Sequence, residues 1–176
     1  MNLDPMQRRI LVVGGTGMLS PLCQALPPDQ LIVAARFQSN TAKVALLPKD
    51  VLRVPLDYTH DSSIAAFMSR LADWHNIACC VLWVHSPAHG FSRALIETLS
   101  QREVPPQVVH LFGSNVLPEA LIQWAKQYHV PFTAVQLGHV DLPGGWRWLT
   151  DSEISQQTAR ALVDTYPNLH IKSNLD

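Results

Sequence analysis

The chain has 176 residues, of which 47% are hydrophobic and 15% charged, with a formal net charge of −1. That composition suits one globular domain over 1–176 and excludes a disordered chain. A near-neutral balance offers no field for nucleic acid or an anionic membrane, and no apolar run approaches the roughly 20 residues that cross a bilayer.

The opening residues Met1-Asn2-Leu3-Asp4-Pro5 lack a signal-peptide layout, so a cytoplasmic location is expected. The cysteines Cys23, Cys79 and Cys80 are odd in number and two are adjacent in an apolar run. They read as small core residues rather than as a disulfide framework.

Apolar runs at 9–13, 31–35, 51–55, 77–84, 107–112 and 132–137 predict strands. Amphipathic runs near 18–26, 40–47, 61–74, 90–102, 117–128 and 151–165 predict helices. The last helix follows Thr150-Asp151-Ser152-Glu153, a capping box. Strict alternation predicts an α/β fold: a Rossmann-like, doubly wound parallel sheet of about six strands in the order 3-2-1-4-5-6, helices on both faces.

The first strand runs into Gly14-Gly15-Thr16-Gly17-Met18-Leu19 and then a helix. Glycines let the backbone approach a pyrophosphate, and the amides at a helix start face the anion. This stretch is therefore expected to hold a dinucleotide. The second strand ends at Arg36, and no acid occurs between Leu31 and Lys49. An NAD site usually carries an acid there for the ribose 2′-OH, whereas a guanidinium suits a 2′-phosphate. NADP(H) is thus preferred over NAD(H), and a surface arginine is the plain alternative. Ser39, Asn40 and Lys43 are further phosphate candidates.

The fourth strand ends Trp83-Val84-His85-Ser86. The tips of strands 1 and 4 flank the switch point where ligands bind, which puts His85 and Ser86 beside a nicotinamide ribose. His85 reads as a ribose contact or proton shuttle, or as a strand-end histidine satisfying a carbonyl. His85 and His89 are four apart, but Pro87 breaks any helix through them, and no metal site is expected. The stretch Leu142–Trp148 reads as an irregular loop, either a flap over a site or packing for the last helix.

With these residues placed, the chain resembles the short-chain dehydrogenase/reductase superfamily. The likeness is closest to atypical and extended members with a Gly-x-x-Gly-x-x-Gly turn, here with Ser20 for the last glycine. It also resembles short bacterial members that share Gly-Gly-Thr-Gly-Met-Leu, Trp-x-His-Ser and Arg-Trp-Leu-Thr segments. The resemblance implies several site roles. Asp57 would bind the adenine amine, or simply cap the next helix. Ser114 would be the catalytic serine, or an N-cap. Gly138 and Val140 would match a Pro-Gly-x-Val turn against the nicotinamide, with His139 facing the cleft. Tyr128, fourteen residues past Ser114, stands where the family's tyrosine base is expected. Phe132 replaces the paired lysine, and Lys126 falls on another helix face. The substrate lobe, about 138–176, is reduced to one loop and one helix, so a homodimer is expected to complete the pocket.

Three functions follow. The first is an NADP(H)-dependent reductase of a small carbonyl or imine, with Ser114, Tyr128 and His85 as polar groups. The second is a dinucleotide-binding sensor or partner protein without turnover. The third is an isomerase or dehydratase that retains its nucleotide.

Overall fold

A computed structural model of the protein describes residues 8–38, 41–85, 88–116, 118–163 and 169–175, with Thr41 and the last stretch described by backbone alone. The positions expected at Ser39, Asn40 and Ser86 lie outside the described residues. Among the described residues there are eight strands and six helices. The strands are β1 (Arg9–Val13), β2 (Leu31–Ala35), β3 (Leu52–Pro55), β4 (Ile77–Trp83), β5 (Gln107–Phe112), β6 (Phe132–Leu142), β7 (Gly145–Trp148) and β8 (Leu169–Leu175). The helices are α1 (Ser20–Ala25), α2 (Thr41–Ala45), α3 (Asp61–Ala72), α4 (His89–Ser100), α5 (Glu119–Gln127) and α6 (Asp151–Val163). One sheet runs β3-β2-β1-β4-β5-β6-β7, with β8 also paired to β6. This is the expected doubly wound order carried two strands further.

Covering both faces explains the strand sequences. Leu11, Val13, Ile32, Ala34, Cys80 and Leu82 turn to one face and meet Phe67, Leu71, Leu95 and Ile122 of α3, α4 and α5. Their neighbours Val12, Leu31, Val33, Val81 and Val109 turn to the other and meet Leu22, Cys23, Ile154 and Ala161 of α1 and α6. Side chains alternate along a strand, so only a continuous apolar run satisfies both layers. The edge strand β3 alternates instead and ends in Pro55, which an edge tolerates. All three cysteines are buried, and burial pushes the Cys23 and Cys79 thiols up to about 12, as inert core residues require.

The irregular loop expected at 142–148 is instead a hairpin. Strand β6 continues past 137 to Leu142, turns through Pro143-Gly144 with Gly144 at φ +99°, and pairs antiparallel with β7. Proline followed by a positive-φ glycine is the composition of a type II turn. The upper half of β6 takes β7 as its neighbour and the lower half takes β8 in parallel, from Thr133↔Leu169 to Leu137↔Ser173. Thus residues 138–142 are strand, not the turn expected around Gly138 and Val140. Val140 is buried in the core and pairs with Arg147 and Leu175, which supplies ladder bonds that a turn would forfeit.

The capping box forms as expected. Glu153 accepts from the Thr150 amide at 2.8 Å, and Thr150 Oγ1 accepts from the Glu153 amide at 3.3 Å. Helix α6 also braces the glycine turn, because Ser155 Oγ accepts the Leu22 amide at 3.1 Å in the first turn of α1.

Candidate functional site

The parallel strands end on one edge of the sheet, and three cavities follow that edge. The first, of about 280 Å³, lies over the glycine turn and is lined by Gly14, Thr16, Gly17, Arg36, Trp83 and His85 among others. A neighbour of about 360 Å³ shares Ala35, Arg36 and Leu56 with it and adds Gln38, Asp57 and Ser63. A third, of about 400 Å³, sits over β5 and β6 and contains Ser114, Asn115, Gln136, Gly138, His139 and both hairpin tryptophans.

Each glycine of the turn answers a different constraint. Gly14 has φ +85°, and a Cβ there would lie 2.8 Å from the Trp83 carbonyl oxygen of β4. A Cβ at Gly15 would lie 2.8 Å from Cys23 Sγ and 2.9 Å from Val33 Cγ1, so Gly15 lets α1 approach the sheet. A Cβ at Gly17 would meet nothing nearer than the Gly14 carbonyl oxygen at 3.8 Å. Packing does not require that glycine, and a side chain there would take up cavity space. The turn therefore leaves open space at Gly17 beside the first cavity, and its residues fit a diphosphate. Leu19 is fully buried in the core, so its side chain is excluded from that role, and Met18 packs against the same cluster.

Arg36 extends from the tip of β2 with its side chain 58% exposed, and its Nη1 is 4.0 Å from Asp57 Oδ2. Asp57 is also the hub of the loop before α3. Its Oδ1 accepts from the Thr59 hydroxyl at 2.6 Å and the Thr59 amide at 3.0 Å, while its own amide donates to Ser63 Oγ at 2.8 Å. Those Thr59 bonds chiefly, with His60 and Arg36 adding, hold its carboxyl below the usual range. Asp57 thus organises the loop ahead of α3 without capping it, since the N-cap His60 carries no side-chain cap bond, and it borders the cavity as well. Lys43, the other cationic candidate, is joined to Asp151 of α6 at 2.7 Å.

His85 is exposed at the end of β4, with its ring 5.2 Å from that of Trp83. It lines the glycine-turn cavity and not the one with Ser114. His85 therefore stands apart from the cavity that Ser114 and His139 share. Ser114 is half-buried in the third cavity; it does not cap α5, which starts at Glu119 behind Pro118 without a side-chain cap. Gln136 of β6 holds the Ser114 loop, its Nε2 donating to the carbonyls of Ser114 at 3.0 Å and Val116 at 3.1 Å. Sequence reasoning passed over Gln136; its only signal was a polar residue inside an apolar strand.

The structure corrects Tyr128. Helix α5 begins five residues after Ser114, so fourteen residues carry the chain down the whole helix to the opposite end of the sheet. Tyr128 is the C-cap, and His129 at φ +55° closes the helix before β6. The phenol stacks near Trp124, with ring centroids 5.1 Å apart. Desolvation, then the Glu97 carboxylate, raises its pKa, which is opposite to what a base needs.

The hairpin supplies the third cavity's outer wall. His139 pairs with Trp148 and Asp141 with Trp146 across the ladder, so all four share one face. Nε2 of His139 lies 3.1 Å from Asp141 Oδ1, and the ring centroids of His139 and Trp146 are 5.7 Å apart. On the opposite face Arg147 makes a bidentate pair with Glu153, 2.8 Å per contact, tying the hairpin to α6. Trp146 and Trp148 stay more than half exposed, which favours the flap reading over packing of the last helix.

No family profile matches the chain, and no curated protein does. Solved structures do share its fold. A short chain dehydrogenase/reductase family protein superposes with a TM-score of 0.68 at 14% identity, covering 99% of this chain and 97% of that one. A 3-hydroxyacyl-CoA dehydrogenase type-2 from Mycobacterium avium gives 0.66 at 11% identity, over 95% and 94%. A UDP-glucose 4-epimerase from Thermotoga maritima, solved with UDP-glucose, gives 0.65 at 14%, over 94% and 76%. At these identities the likeness is one of fold.

Proposed function

We propose that the chain is an NADP(H)-dependent oxidoreductase of the short-chain dehydrogenase type, reducing a small carbonyl or imine substrate without the usual Tyr-x-x-x-Lys pair. The observation that carries the reading is Gly17, whose missing side chain leaves space over a helix start at the fold's ligand edge. A bound nicotinamide dinucleotide supplies the hydride. Around it, Gly14 to Gly17 hold the diphosphate, Arg36 pairs with a 2′-phosphate, Asp57 borders the adenine, and His85 meets the ribose. Ser114 orients the substrate's carbonyl oxygen in the third cavity. NAD(H) is the second candidate, because Asp57 beside Arg36 offsets part of the cation's charge. A homodimer belongs to the same reading, since a second copy would cover the exposed faces of Trp146 and Trp148.

One observation favours a second reading, a dinucleotide-binding sensor without turnover: Tyr128 stands at the far end of the sheet from Ser114. Calorimetry with NADPH and NADH, followed by consumption assays over small aldehydes, ketones and cyclic imines, separates the two. The reductase predicts tighter binding of NADPH and its oxidation by a member of the panel. Binding without oxidation favours the sensor, and no binding at millimolar nucleotide overturns both.

A further inference from the structure

We infer that His139, oriented by Asp141, delivers the proton in the Ser114 cavity; this rests on the reductase reading and names the acid that reading lacks. Reduction of a C=O or C=N bond consumes a proton as well as a hydride, and Tyr128 is out of reach. Among the described residues lining that cavity, His139 is the one with a side chain of the acid–base type; serine, asparagine, glutamine and tryptophan are not. The assignment therefore comes from the wall of the cavity and not from a motif.

The placement of Asp141 distinguishes the two ring nitrogens. His139 and Asp141 are two residues apart on β6 and share a face. Nε2 lies 3.1 Å from Asp141 Oδ1, at ion-pair distance, so the carboxylate faces that nitrogen and Nδ1 is left as the working one. Trp146, from the facing strand, has its ring centroid 5.7 Å from that of the imidazole. Arg147 belongs to the other face of the hairpin and is engaged by Glu153 of α6, while the Ser114 loop and Gln136 present no charge. Asp141 is thus the charged group that faces the His139 ring here.

The chemistry balances. The substrate carbon accepts a hydride with its two electrons from the reduced dinucleotide, and the C–O π pair moves onto oxygen. That oxygen takes the proton from Nδ1, and the N–H electron pair stays on the ring. The products are an alcohol, the oxidised dinucleotide and a neutral imidazole that solvent reprotonates. With an imine, nitrogen takes the oxygen's place and an amine results.

The test uses the full chain with NADPH and the carbonyl and imine panel. His139→Gln should lower kcat about 100-fold while NADPH affinity stays within about twofold, the range expected when a positioned acid is lost. Added imidazole should restore part of the turnover of His139→Ala. Asp141 is a positioning residue: Asp141→Asn should lower kcat more than it changes KM. Nitrogen-15 spectra of the nucleotide-free protein should show the Nε2–H tautomer of His139 in the neutral ring, and a mixture in Asp141→Asn. Unchanged kcat in His139→Gln, or an Nδ1–H tautomer in the unaltered protein, overturns this inference alone. Failure of the unaltered protein to oxidise NADPH overturns the reductase reading and this inference together.

Discussion

A methyl group added at Gly17 would project into the first cavity, whereas one added at Gly14 would strike the β4 backbone on a left-handed residue. Two opposite outcomes follow. Gly17→Ala should keep folding stability to within about 1 kcal/mol, since it touches little, yet weaken NADPH at least about tenfold, or 1.4 kcal/mol. Gly14→Ala should lose more than the about 1–2 kcal/mol that a positive φ alone costs a residue with a Cβ. Urea unfolding measures the stabilities and calorimetry the affinities; equal nucleotide binding by Gly17→Ala would remove the central support for the dinucleotide site. Arg36→Ala should lower the NADPH-over-NADH preference about tenfold or more, the value of a charge-assisted hydrogen bond of about 1.5–3 kcal/mol.

At the scale of elements, the β6–β7 hairpin is anchored through both of its strands. Gln136 ties β6 to the Ser114 loop, and Arg147 ties β7 to Glu153 at the start of α6. The Arg147 hydrogen bonds first, then those from Thr150, hold the Glu153 carboxyl down at about 2 against an ordinary 4.5. A carboxyl lowered in the folded state stabilises fully above its unfolded value, and that contribution disappears as pH falls through 4.5 toward about 2. Thermal unfolding followed against pH should therefore show the unaltered protein losing its advantage over Glu153→Gln inside that window. Gln136→Leu should leave two loop carbonyls without their donor, at a cost of about 1–3 kcal/mol. It should also raise KM, because Ser114 would no longer be held.

Across the whole molecule, His110 ties the central strand β5 to α4 on one face of the sheet. It is fully buried, its Nδ1 donates to the Leu111 carbonyl at 2.9 Å, and the Ser92 hydroxyl of α4 donates to its Nε2 at 2.9 Å. A carbonyl only accepts, so Nδ1 must carry the proton and Ser92 must be the donor. Desolvation by burial, with His89 adding, pulls its pKa down to about 3 from an ordinary 6.5. The sign follows: the unfolded chain takes up a proton below 6.5 that the folded chain refuses until about 3, so stability is full above 6.5 and falls below it. The slope approaches about 1.4 kcal/mol per pH unit. Between 6.5 and 4.5 this loss is separate from that of Glu153, and the paired variant Ser92→Ala with His110→Phe should flatten it.

Residues 31–35 and 107–112 could be read to the last position, because burial on both faces demands a continuous apolar run and charge or glycine marks its ends. The glycine turn, the capping box at Thr150 and the order of the sheet were likewise fixed by local chemistry and right-handed connection. Strands β7 and β8 were not legible, since each exists by pairing with β6, and a pairing partner leaves little trace in a short sequence. Pro143-Gly144 between alternating residues was the one available sign of the hairpin. Chain spacing put Tyr128 near Ser114, but only the early start of α5 decided that the two lie at opposite ends of the sheet. Distance along a chain is set by covalent geometry and written in the sequence. Which side chains share a cavity depends on where helices begin and which edges pair, so His139 and Gln136 met Ser114 only in the folded molecule.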